Sequence, residues 1–257
     1  MGRRSTDMRG NRFFDRGTVF DTYQKKRQKR DNANDTLEKP IVMELMGDVK
    51  GLEVLDLGCG DAEYGKELIH LGARCYTGVE SSGKMVKAAR KNLQGTQGKV
   101  IQADIEEWSY PMSSFDRAVS RLVLHYVENL VALLKRVYQT LKPGGRVLFS
   151  VEHPVVTSGY GCWPEDQHRE DWTVDRYFNR GFRTQFWMGE EVEKYHRTVE
   201  DYFLSLQQAG FVVECLRESC PDQRYFVDEE TYKRRTRIPL FLFLSGNKPS
   251  LEERNNL

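Results

Sequence analysis

Between Leu52 and about Ser150, short apolar runs bounded by turn residues alternate with amphipathic stretches. That rhythm predicts repeated β-α units around a parallel sheet. Strands are predicted at residues 53–57, 74–79, 99–102, 115–120 and 146–151, each rich in Val, Leu, Ile or Phe. Helices are predicted between them at 63–70, 82–92 and 128–141. The last of these shows its face most clearly. Leu130, Leu133, Leu134, Val137, Tyr138 and Leu141 recur at helical spacing, and Lys142-Pro143-Gly144-Gly145 supplies the stop.

Beyond residue 151 the pattern dissolves for about forty residues, then returns as a helix at 198–208 and strands at 211–216 and 240–245. A long polar connection joins these two strands, so they can form an antiparallel pair at one edge of the sheet. Upstream, 23–30 and 35–46 read as helical, with Asp35 or Thr36 as N-cap and Pro40 in the first turns, where proline is best tolerated.

A chain of 257 residues accommodates one α/β unit with an insertion. With 39% hydrophobic and 30% charged residues and a net charge of +1, composition describes an ordinary globular protein and names no partner. No apolar run reaches the roughly 18 residues of a membrane span. The opening MGRRSTDMRGNRFFDRG lacks the apolar centre of a secretory signal, so a cytoplasmic protein without a membrane segment is expected. Cys59, Cys75, Cys162, Cys215 and Cys220 are odd in number and contain no C-x-x-C pair, which points to packed thiols. Charge is uneven: residues 1–30 hold ten Lys or Arg against three Asp, a net +7. A basic arm can contact nucleic acid, although a solvated terminus is the simpler reading.

The candidate chemistry starts at Val54-Leu-Asp-Leu-Gly-Cys-Gly-Asp61, a strand running into a glycine turn ahead of a helix. Gly58 and Gly60 can take positive φ and let a ligand lie against bare backbone, and the next helix start offers free N–H groups. A dinucleotide fingerprint would want a third glycine where this chain has Glu63, which argues against a nicotinamide cofactor. Glu80 ends the second strand twenty residues after Gly60, where a carboxylate can accept both hydroxyl hydrogens of a ribose. Asp104 follows the third strand and can accept a hydrogen bond from an adenine amino group, with Ile105 against the ring. Any one of these acids reads equally well as a cap or a solvated side chain. Three ligand-type positions at the ends of three consecutive strands point instead to one nucleoside-type ligand.

Taken together, VLDLGCGDAEYG (54–65), YTGVESSGKMVKAAR (76–90), ADIEEW (103–108), SRLVLHYVENL (120–130) and LKPGGRVLFSVEHP (141–154) resemble the class I S-adenosylmethionine-dependent methyltransferases. The C-terminal half is similar to an uncharacterised bacterial subgroup of them through Glu152-His-Pro-Val155, Val174-Asp-Arg-Tyr-Phe178 and Tyr195-His-Arg-Thr198. Glu80 stands where Asp is commoner, and Ser81-Ser-Gly83 is a loose version of the usual turn. The resemblance implies a Rossmann-like α/β fold with seven strands, the last antiparallel, and helices on both faces. It also implies S-adenosylmethionine as cofactor and S-adenosylhomocysteine as product. Asp56, Gly58, Cys59 and Gly60 would cradle the methionine part, Glu80 with Ser81 the ribose, and Asp104 with Ile105 the adenine; Met85 and Ser120 complete the expected cofactor contacts.

Residues 1–47 are expected to form a basic arm and helical cap, and 48–257 the methyltransferase domain, with 156–195 as a substrate lid. In this fold the carboxyl ends of strands four and five flank the methyl group, which brings forward His125, Glu152, His153 and, after the insertion, His196 as catalytic candidates. Their spacing forms no metal-ligand pattern, and no metal is expected. Aromatic density in the insertion suggests Trp163, Trp172, Phe186 and Trp187 as acceptor contacts, joined by Tyr23 and Tyr126. The leading expectation is methyl transfer to O, N or C of a small molecule in metabolite biosynthesis, by a monomer or homodimer. The alternatives are an RNA methyltransferase using the basic arm, which the lack of a separate RNA-binding domain weighs against, and a non-catalytic S-adenosylmethionine-binding regulator.

Overall fold

Val54, Leu55, Asp56 and Leu57 are all buried. A strand that hides both faces needs neighbours on each side and helices above and below, which a parallel sheet supplies. The computed structural model describes residues 10–29, 31–159, 172–250 and 252. In it β1 (Glu53–Leu57) pairs in parallel with β2 (Cys75–Glu80) and β4 (Phe115–Arg121), β2 with β3 (Gly98–Gln102), and β4 with β5 (Leu141–Glu152). A hairpin of β6 (Gly181–Trp187) and β7 (Glu190–His196) stands apart as its own two-stranded sheet. β8 (Val212–Glu218) and β9 (Phe241–Asn247) form the expected antiparallel pair, and β9 also runs antiparallel to β5. The seven-stranded order is β3-β2-β1-β4-β5-β9-β8, a Rossmann-like sheet with the last strand of the chain antiparallel to its neighbours, as the resemblance implies.

Helices cover both faces. α2 (Lys39–Met46), α3 (Glu63–His70) and α4 (Gly83–Asn92) close one core through Ile41, Val42, Leu68 and Ala89. α5 (Leu130–Thr140) and α7 (Val199–Gln208) close the other, where Leu130, Leu133, Leu134 and Val137 are buried as their spacing predicted. Helix starts follow their capping residues: Ser82 Oγ accepts from Met85 N (3.2 Å), Asn129 Oδ1 from Ala132 N (3.0 Å), and Thr198 and Asp201 form a capping box. The shorter helices are α1 (Val19–Arg27), α6 (Pro154–Ser158) and α8 (Glu229–Arg235).

Two local expectations are corrected. Neither Asp35 nor Thr36 caps α2: a wide turn at Asn34–Glu38 runs straight into it, and Asp35 bonds Arg27 (2.9 Å) and Asn32 (2.6 Å) instead. The region without an apolar rhythm contains the β6-β7 hairpin, turned tightly at Met188 and Gly189, both with positive φ. Its inner face carries Val192, Lys194 and His196, so two of three buried positions read as polar in the sequence. The hairpin rests on the N-terminal segment, where Phe13, Val19 and Val192 form a third apolar cluster and the Phe13 ring stacks on Trp187 at 5.4 Å. Among the described residues no helix is long and apolar enough to cross a membrane.

Candidate functional site

The chain winds outward from β1 to β3 and then returns to β4, so a crevice opens where the strand order reverses, beyond the carboxyl ends of β1 and β4. A cavity of about 280 Å³ occupies that crevice. At one end it is lined by Gly58, Gly60, Glu80, Ser81, Met85, Asp104 and Ile105, all predicted ligand positions.

The glycine turn leaves space there. Gly58 (φ +73°) approaches β4's exit so closely that a Cβ would lie 2.4 Å from Val123 Cγ2, while a Cβ on Gly60 (φ +57°) would enter open space. Glu80 ties this loop to the start of α4: Oε2 accepts from Gly60 N (3.0 Å) and Oε1 from Ser82 N (2.9 Å). Burial raises its carboxyl above the usual range, and the main-chain donors oppose that shift. Asp104 Oδ1 accepts from Glu106 N (2.8 Å), which fixes the turn after β3. Beneath the loop, Asp56 Oδ2 takes the Tyr76 hydroxyl (2.6 Å), while Oδ1 is buried with no partner among the described residues. Burial lifts the Asp56 carboxyl to about 6. Bare backbone, a carboxylate beside it and a second acid one strand away are what an adenosyl-methionine ligand requires, and the residues fit that group.

Asp56, Cys59 and Ser120 support this end from below and do not line the cavity. The Cys59 sulfur packs into the space that a side chain on Gly78 would need, and Ser120 Oγ donates to Leu57 O (2.9 Å).

At the other end Phe14, Tyr23, Tyr126 and Trp187 surround the space with His125 and Glu152. Phe14 meets Tyr23 edge-on at 4.9 Å. Glu152 Oε1 is anchored by Lys194 Nζ (2.7 Å), which also reaches Gln185 Oε1 (2.8 Å) and lies 5.4 and 5.6 Å from the Trp187 and Tyr126 ring centres. Lys194 is 1% exposed, and burial lowers its pKa against the pull of Glu152.

His125 is 1% exposed, and burial drops its pKa to about 3, so the ring is neutral. Glu152 N donates to Nδ1 (3.4 Å), which places the ring hydrogen on Nε2. Since a free imidazole titrates near 6.5, the unfolded chain takes up the proton first as pH falls. The stability contributed by a neutral His125 is complete above about pH 6.5 and is lost by up to about 1.4 kcal/mol per pH unit towards pH 3. Denaturant unfolding of the wild type and His125→Gln from about pH 7 to about pH 4.5 should show the wild type losing ground to the variant. A pH-independent difference contradicts the buried neutral ring.

The other predicted histidines lie off the cavity, each committed at both nitrogens. His153 caps α6 by accepting from Val155 N (3.2 Å) and meets Glu218 at 2.9 Å; His196 contacts Thr157 Oγ1 (2.6 Å) and Tyr177 O (2.8 Å). Phe186 is 55% exposed, one residue out of phase with cavity-lining Trp187, because successive strand side chains face opposite ways. Trp172 is half-buried and does not line the cavity, while Trp163 lies outside the described residues. No cluster of three or more metal-ligating side chains occurs among the described residues.

Three contributors escaped sequence reasoning. Arg121 lines the cavity and pairs with the fully buried Glu38, which also accepts from Ser150 Oγ (2.7 Å). Leu122 follows it with φ +57°, a strained conformation for leucine, held by Ser150 O (2.9 Å) and Oγ (3.1 Å). Lys194 is the third. Their ion pairs join residues 83 and 42 positions apart, so only the alternation around Val192 hinted at any of them.

Residues 55–149 match a family described as Methyltransferase domain. The S-adenosylmethionine-dependent methyltransferase of Mesorhizobium loti is 34% identical, with a TM-score of 0.75, the alignment covering 82% of this chain and 97% of that one. An uncharacterized protein of Haemophilus influenzae is 29% identical over 246 residues, 91% of this chain and 96% of its own length. The demethylmenaquinone methyltransferase of Lactococcus lactis is 25% identical over 190 residues, 66% of this chain and 69% of that protein.

Proposed function

Because the chain belongs to the class I S-adenosylmethionine-dependent methyltransferases, we propose that it methylates O, N or C of a small organic acceptor seated among Phe14, Tyr23, Tyr126 and Trp187. One observation carries this reading: the aromatic enclosure and the glycine-carboxylate end are a single cavity, walled on one side by the N-terminal segment and the hairpin. A demethylmenaquinone methyltransferase among its relatives, by name a small-molecule enzyme, is in keeping with it.

The cofactor supplies a methyl group already activated on a sulfonium. Gly58 and Gly60 would hold its methionine part, Glu80 the ribose hydroxyls, and Asp104 with Ile105 the adenine. The protein's remaining task is to hold the acceptor atom in line and keep water out. His125 presents Nε2–H as a donor that orients an acceptor oxygen or nitrogen; at a pKa of about 3 it is a poor base. Glu152, fixed by Lys194, is the carboxylate placed to accept a proton from an acceptor hydroxyl or amine.

The basic arm gives RNA methylation some standing. Yet Arg16 is turned inward to Glu191 O (2.9 Å), and the arm's aromatic residues Phe14 and Tyr23 close the cavity, as suits a small acceptor. Incubation with S-adenosylmethionine and a panel of small O-, N- and C-nucleophiles should release S-adenosylhomocysteine with some of them. Release only with RNA refutes the small-molecule reading. Glu80→Ala should weaken S-adenosylhomocysteine binding by about 1–3 kcal/mol by calorimetry, through hydrogen bonds lost to a buried ligand. Unchanged affinity would show that Glu80 does not hold the ribose.

A further inference from the structure

A second depression of about 690 Å³ adjoins the cavity, and Tyr23, Asn34 and Trp187 line both. Its walls are two helix ends facing each other. Lys26 and Arg27 end α1, with Lys29 just beyond, while Arg234 and Arg235 end α8.

Cations at helix C-termini have an ordinary reading, since they complement the helix dipole and extend into water. Arg235 departs from it. It is half-buried, its Nε is buried with no hydrogen-bond partner among the described residues, and burial with the neighbouring Arg234 lowers its pKa to about 10. Two carboxylates share the groove, each hydrogen-bonded to main-chain N–H groups, and Asp228 also feels the charge of Arg234. Asp31 accepts from Val227 N (2.9 Å) and Asp228 N (2.7 Å), and Asp228 caps α8 at Thr231 N (2.8 Å). Arg27 pairs with Asp35; Lys26, Lys29, Arg234 and Arg235 form no ion pair within 4 Å among the described residues. Cations on two helix ends that line one groove repel, and a buried guanidinium N–H without an acceptor is costly. A multiply charged anion between them relieves both.

We propose that this groove binds an anionic group of the acceptor, of the phosphate class, while the atom to be methylated lies in the adjoining aromatic cavity; this rests on the small-molecule reading above. Guanidinium forks and ammonium groups suit phosphoryl oxygens. A carboxylate would neutralise one charge, where a phosphoryl group or a diphosphate neutralises two or more.

The probe is inorganic pyrophosphate, titrated calorimetrically into the full chain with S-adenosylhomocysteine present. Binding is expected in the wild type, and about tenfold weaker binding in Arg235→Gln. Arg234→Gln combined with Lys29→Gln, two exposed positions, gives the same readout if Arg235→Gln fails to fold. S-adenosylhomocysteine affinity should be unchanged in both. If S-adenosylhomocysteine binds but pyrophosphate does not, or binds the variants equally well, the anion site is overturned while the cofactor reading stands. If S-adenosylhomocysteine itself fails to bind the wild type, it is the reading beneath that falls. A short single-stranded RNA that displaces pyrophosphate, with affinity rising steeply with its length, also overturns the proposal, because the groove would then be a nucleic-acid track.

Discussion

Arg121→Met should destabilise the protein by about 3–5 kcal/mol, because it leaves Glu38 charged and alone in the interior. Glu38 is 0% exposed; Arg121 Nε reaches both of its carboxylate oxygens at 3.1 Å, and the guanidinium lies 4.5 Å from the Tyr64 ring centre. The methionine keeps most of the volume but none of the charge, so among the described residues only the Ser150 hydroxyl still donates to the Glu38 carboxylate. A buried pair exchanged whole for apolar residues is close to neutral, which gives the test its control. Glu38→Met combined with Arg121→Met should recover most of the loss in urea unfolding. If the double variant is as unstable as the single one, packing and not charge is what Arg121 contributes. The single variant should also bind cofactor less well, since Arg121 and the strained Leu122 shape the cavity at the end of β4.

Gly58→Val is expected to reduce S-adenosylhomocysteine affinity at least about a hundredfold, roughly 2.8 kcal/mol. Two effects combine. A φ of +73° is a left-handed conformation that a β-branched residue strongly resists, and the new Cβ would sit 2.4 Å from Val123 Cγ2. Val123 is itself short and lines the cavity, so it can yield only by moving into the ligand's space. Gly60→Ala separates the two causes. Its Cβ meets nothing within 4 Å, so it keeps only the strain of a side chain at φ +57°, about 1 kcal/mol, without the clash, and should fold with that smaller loss and bind less tightly. Calorimetry alongside thermal unfolding reads both effects; binding by Gly58→Val within tenfold of the wild type would place the ligand elsewhere.

Local rules carried the sheet and the cofactor end. β1 and α3 begin and end where periodicity predicted, and Ser82, Asn129 and Thr198 mark helix starts through hydrogen bonds made within three residues. The glycine turn, Glu80 and Asp104 could be placed at the carboxyl ends of β1, β2 and β3 because turn residues bound those apolar runs. The acceptor end was harder. His153 and His196 are chemically suggestive, but histidine at a strand exit serves equally well as a cap, and chain proximity cannot say which. Lys194 escaped because a buried ammonium in a strand looks like a solvated one until Glu152 is brought to it. The hairpin was hidden for the same reason: Val192 is its only apolar inward residue on β7, and its turn signal is confined to Met188-Gly189.

That hairpin is outside the seven-stranded sheet, and a lone two-stranded ribbon has little stability of its own. It stands because Phe13, Val19 and Trp187 pack around Val192, and residues 13–19 are held in return by the ribbon. Asp15 clips the same stretch to the start of α4 through Ser82 Oγ (2.7 Å) and the Lys84 N–H (3.0 Å). Two weak pieces thus prop each other up over one half of the crevice, while the half proposed to seat the methyl donor is formed by the ends of sheet strands. Descendants of this gene could therefore exchange what they methylate by co-varying the front of the chain with the ribbon, leaving the donor seat untouched.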